Sequence, residues 1–174
     1  MNAPQSSPMP PLKDPSLLRT ESYIDGAWVK ADSGMLFDVD NPADGGVIAS
    51  VPDCGAAETR RAIEAAKAAL PGWRALTAKQ RAAILRRWYE LMLLNADDLA
   101  LILTAEQGKP LAEAKGEILY GASFIEWFAE EGKRIYGDVI PPHLPDKRPK
   151  ALQQPIGVCA PIPPSNCPTA MLPP

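Results

Sequence analysis

From residue 155 onward this chain alternates between a short apolar run and proline, a combination that leaves few folds open. Residues 157–162, Gly-Val-Cys-Ala-Pro-Ile, have the composition of a buried strand and lead into Pro163-Pro164-Ser165-Asn166-Cys167-Pro168. Such a segment reads as the first strand of a parallel nucleotide-binding sheet, which needs a crossover helix and further strands after it. None follow before Pro174, so the expectation is the front part of a larger α/β protein.

The 174 residues carry 18 basic and 21 acidic side chains, so the sequence offers no broad basic surface for nucleic acid. No apolar run approaches the length of a membrane span, and no signal pattern opens the chain; the expectation is a cytoplasmic protein. Residues 1–20, with prolines at 4, 8, 10, 11 and 15, read as a disordered leader. Cys54, Cys159 and Cys167 are odd in number and widely spaced, which predicts reduced thiols. A single histidine, His143, and the lack of a CxxC pair argue against a metal site.

Residues 23–29 predict a tight hairpin around Asp25-Gly26, and a second strand pair brackets the turn formers at 41–46. Ala62, Ile63, Ala66, Ala69 and Leu70 then repeat at helical spacing, with Pro71-Gly72 expected to end the helix. Thr77 and Gln80 form a capping-box pattern whose helix would turn Leu85, Trp88 and Met92 to one face. A third helix runs from Asp97-Asp98 to Gly108. A fourth, from Pro110 to about Arg134, is apolar along Ile118, Ala122, Ile125 and Ala129. Residues 136–140 and 150–154 predict two strands of an exposed arm, joined by a proline-rich turn.

Few residues point to chemistry. Glu113, Glu117, Glu126, Glu130 and Glu131 on the fourth helix read as a solvated face with ordinary ion pairs, Glu130 with Arg134 among them. Gly108-Lys109 lacks the rest of a phosphate loop and reads as a helix stop and restart. Cys167 has no activating base or charge nearby in sequence, Cys159 reads as a core thiol, and His143 as an exposed loop residue. Asn166 admits two readings: an amide that donates to a developing oxyanion, or a turn residue.

Three long stretches carry a resemblance. Residues 103–118, beginning Leu-Thr-Ala-Glu-Gln-Gly-Lys-Pro, resemble a hallmark of the aldehyde dehydrogenase superfamily. Residues 124–138 and 70–79 are similar to its bacterial succinate-semialdehyde dehydrogenases, and the likeness extends over about 20–171. The resemblance implies oxidation of an aldehyde to an acid with NADP or NAD through a cysteine thioester, with succinate semialdehyde as substrate. It places Asn166 on the oxyanion-stabilising asparagine, and Ile162, Pro164, Ser165 and Asn166 beside the cofactor. It also makes 136–155 an arm for homo-oligomerisation.

The implied layout is a leader (1–20), the N-terminal part of a cofactor-binding domain (21–135), the arm (136–155) and an incomplete Rossmann-like core (156–174). The catalytic domain, with its nucleophilic cysteine and general-base glutamate, is absent, so the chain alone is expected to be inactive. Against the family's loop, Pro161, Pro163, Ser165, Cys167, Leu172, Pro173 and Pro174 are departures. Each is one base substitution away, which suggests a decayed gene or a faulty read. Two alternatives remain at this point: an aldehyde dehydrogenase of another subfamily, and a non-catalytic module that pairs with full-length subunits.

Overall fold

The structure is a computed structural model that describes residues 9–164 and 166–171. It is an α/β arrangement of three two-stranded antiparallel sheets and a layer of helices. Strands β1 (Ser22–Ile24) and β2 (Ala27–Val29) pair Tyr23 with Trp28 across the expected turn. Asp25 and Gly26, at φ 53° and 79°, supply the left-handed backbone that this two-residue turn requires. Strands β3 (Leu36–Asp40) and β4 (Val47–Pro52) form the second pair, with a register shift at Val39/Asp40.

Helix α1 (Ala56–Ala75) runs through Pro71 instead of ending there. Proline's φ is itself helical, and the ring removes only one backbone hydrogen bond, so the last turn survives at an energetic cost. That turn is engaged from outside, since the Arg74 guanidinium donates to the side chain of Gln154. Helix α2 (Ala78–Leu94) starts as expected, with Thr77 and Gln80 capping each other's amides. Of its predicted inner residues Met92 is buried, whereas Trp88 is 47% exposed. Helix α3 (Ala96–Gln107) ends at Gly108 in the left-handed conformation, and α4 (Leu111–Glu131) follows from Pro110.

The core lies where α2, α3 and α4 meet. Ala96, Ala100, Ala114 and Ala122 let the helices approach closely, and Met92, Leu103, Ile118 and Ile125 fill the space between them. Among the described residues no helix is long and apolar enough to cross a membrane.

Several expectations are corrected. The described part of the leader, residues 9–20, is ordered: Asp98 accepts from the Lys13 and Asp14 amides at 3.0 and 2.8 Å, and a 3-10 turn follows over Pro15–Leu17. The arm's strands are short, β5 (Asp138–Val139) and β6 (Lys150–Ala151), because proline and exposed ends limit the ladder. Residues 157–162 form no strand; among the described residues no strand lies beside them to supply a ladder, and Ile162 is 94% exposed. Cys159 is exposed for the same reason.

Candidate functional site

Asn166 lies in a turn just before the short helix α5 (Pro168–Met171), which packs against α4. Its side chain is exposed, and its backbone carbonyl accepts from Lys109 Nζ at 2.6 Å. Lys109 leaves the corner between α3 and α4, where Gly108 has reversed the chain. From there the ammonium reaches Glu117 Oε2 at 2.5 Å and lies 3.9 Å from Cys167 Sγ. The other carboxylate oxygen of Glu117 accepts from the Thr169 amide at 2.9 Å. Glu117 thus divides its two oxygens between a cation and the backbone of α5.

This pair is enclosed: the side chains of Lys109 and Glu117 are 14% and 4% exposed. Hydrogen bonding to Glu117 raises the Lys109 pKa above its ordinary value and keeps the ammonium charged. Gly121, one turn further along α4, admits the approach of α5. A Cβ there would stand 2.9 Å from the Thr169 carbonyl oxygen.

The buried Glu117 corrects the reading of that helix as carrying only solvated carboxylates. Glu117 lies within the stripe of Ala114, Ile118, Gly121 and Ala122, all buried. A carboxylate inside an apolar arc was the signal in the sequence; its partner Thr169 stands 52 residues away and carries no such signal. Elsewhere on α4, Glu126 pairs with Arg86 and Lys115 with Asp97, and at its end Glu130 pairs with Lys133 and Glu131 with Arg134, rather than Glu130 with Arg134, all exposed.

Of the residues expected at the cofactor, Ile162 and Pro164 are exposed in irregular chain, and Ser165 lies outside the described residues. His143 is exposed in the arm. Cys54 is partly buried with its sulfur 3.5 Å from Ser22 Oγ. Beside the Asn166 turn is an apolar cleft of about 450 Å³, lined by Leu103, Ile118, Ile125 and Pro168 among others. Glu106 also lines it; exposed along one side, its carboxyl has its pKa raised by desolvation against that wall.

The aldehyde dehydrogenase family matches residues 28–173. The chain is 66% identical over 161 residues to glutarate-semialdehyde dehydrogenase of Pseudomonas aeruginosa, covering 92% of this chain and 33% of that protein. It is 62% identical over 161 residues to the NADP(+) succinate-semialdehyde dehydrogenase of Escherichia coli, with the same 92% and 33% coverage. Its fold matches the crystal structure of succinate-semialdehyde dehydrogenase from Burkholderia pseudomallei with a TM-score of 0.90 at 64% identity, over 92% of this chain and 33% of that one. The chain therefore spans about a third of the length of these relatives. With the family matched over most of its residues and the fold superposing at that score, the chain belongs to the aldehyde dehydrogenase family.

Proposed function

We infer that this chain is the N-terminal part of an NAD(P)-dependent oxidoreductase that converts succinate semialdehyde to succinate through a cysteine thioester. In this reading the Asn166 amide donates to the oxyanion that develops on the aldehyde oxygen. The observation that carries it is an exposed Asn166 on a turn tied to the α3–α4 corner by Lys109, in a chain of this family. Such a donor works only if its position is set before the charge appears.

Toward a nicotinamide, the described residues offer Ile162 and Pro164, both exposed. These make no enclosed pocket and no set of phosphate donors, so they do not hold the group by themselves. Support for NADP or NAD comes from family membership and from the E. coli relative's NADP(+). The 174 residues alone give no turnover in this reading. Their sulfurs meet Ser22 Oγ, the Gly157 carbonyl and Lys109 Nζ; among the described residues no carboxylate or imidazole hydrogen-bonds one of them. The arm over 136–155 joins copies of the protein into a homo-oligomer, supported by the exposure of Tyr136, Val139 and Leu152. The compartment is the cytoplasm.

A second substrate is favoured by one specific observation, the 66% identity to a glutarate-semialdehyde dehydrogenase. The test follows nicotinamide reduction by the purified chain, and by the product of the same gene read through the Pro174 codon. The expected result is no turnover by the chain, then turnover by an in-frame longer product with higher kcat/KM on succinate than on glutarate semialdehyde. Turnover by the chain alone, or the reverse preference, overturns this reading in the corresponding part. Co-purification of the chain with a complete dehydrogenase subunit would instead support a non-catalytic module.

A further inference from the structure

We propose that Lys109 and Glu117 are positioning residues for Asn166, a largely buried ionic clamp that sets where its amide points. The proposal rests on the oxyanion reading of Asn166. Residues 152–164 reach the turn as irregular chain, and among the described residues no sheet holds them. The turn is instead held from α4 and the corner that precedes it. Lys109 Nζ grips the Asn166 carbonyl, Glu117 grips the Thr169 amide three residues on, and the two side chains grip each other. Restraining the Asn166 carbonyl restrains the peptide plane that follows it, which narrows the directions open to the Asn166 side chain and its rotamers.

The chemistry suits geometry better than stability. Burying two charges is costly, and an apolar pair of similar volume would often stabilise as well. What an apolar pair cannot do is bond a backbone carbonyl and a backbone amide on opposite sides of one asparagine turn. The ammonium's donors and the carboxylate's two oxygens do both at once. The close approach at Gly121 leaves α5 no room to shift toward α4, so the clamp closes on a seat already shaped for it.

Amide hydrogen exchange of the full chain tests this, comparing the peptide over 166–171 with the β1–β2 hairpin as an internal control. Lys109→Met and Glu117→Gln are expected to speed exchange over 166–171 about tenfold while the hairpin is unchanged. Lys109→Arg, which keeps the charge, is expected to restore much of the protection. Because Lys109→Met leaves Glu117 buried without its cation, the double variant Lys109→Met/Glu117→Gln guards against global unfolding. Unchanged exchange over 166–171, or an equal rise in the hairpin in every variant, overturns the clamp. Asn166→Ala separates the two proposals, since the clamp uses only the backbone carbonyl. Retained protection in that variant, with no loss of activity in the complete enzyme, would remove the oxyanion role and leave the clamp standing.

Discussion

At the scale of single residues, burial decides between side chains that look alike in the sequence. Ile125 is 2% exposed, and many of its buried neighbours are alanines, which cannot extend to refill a vacated volume. Leu94, at the end of α2, is 77% exposed. Ile125→Ala should therefore cost about 2–4 kcal/mol. Leu94→Ser should stay within about 0.5 kcal/mol. Urea midpoints of the two variants check both values, and similar shifts would contradict the packing described. Asn166 was legible as a candidate from its residue type and loop. Lys109 was not, because 57 residues separate it from the carbonyl it binds and nothing local marks that contact.

Elements follow local rules except where a neighbour pays a penalty that local rules assess. The Asp25-Gly26 turn, the Thr77–Gln80 cap and the Gly108 stop are set by backbone chemistry within a few residues, and each stands where the sequence places it. Pro71 does not end α1. Replacing it with alanine restores a hydrogen bond and relieves the ring clash, worth about 3 kcal/mol in a helix interior. The gain is offset by about 1 kcal/mol because the unfolded chain becomes freer. Pro71→Ala should thus stabilise by about 2 kcal/mol on thermal or urea unfolding; a loss of stability would contradict this account.

The N-terminal segment 9–20, a strap tied to α3 through Asp97 and Asp98, is a second such case. Asp97 accepts from Lys115 at 2.6 Å and Lys13 at 2.9 Å, bonds that lower its pKa from 3.8 to about 2. A depressed carboxylate contributes stability that is fully present above 3.8 and lost as pH falls through about 2. Asp97→Asn should therefore melt below the parent chain at neutral pH, with the gap closing between about pH 4 and pH 2. A gap that persists at the acid end would show that the loss does not come from the Asp97 charge, and no gap at neutral pH would leave the segment held by the Asp98 contacts alone.

For the whole molecule, surface is the telling quantity. The accessible area is 12316 Å² for 18.7 kDa. A compact monomer of this mass exposes about 8,300 Å². The excess includes Trp127 at 62%, Val139 at 78% and Leu152 at 78%. Apolar exposure of that kind drives association. Sedimentation should show concentration-dependent self-association, weakened by the double variant Val139→Lys/Leu152→Lys in the arm. A monomer at all concentrations, or a variant that associates like the parent, would dismiss the arm as the contact.

The Asp25-Gly26 hairpin, the Thr77–Gln80 cap, the Gly108 stop and the apolar stripe of α4 are determined by the sequence itself, because each depends on backbone preference or side-chain period within a few residues. The order of residues 9–20, the burial of Glu117 and the open state of residues 157–162 were decided only by the tertiary structure. Each depends on a partner outside the segment: Asp98 for residues 9–20, Lys109 across the helix corner and Thr169 52 residues away for the carboxylate, and, for the apolar run, a neighbouring strand that the described residues do not supply. A strand needs a ladder and a buried charge needs its counter-charge, and neither is a property of the segment that carries it.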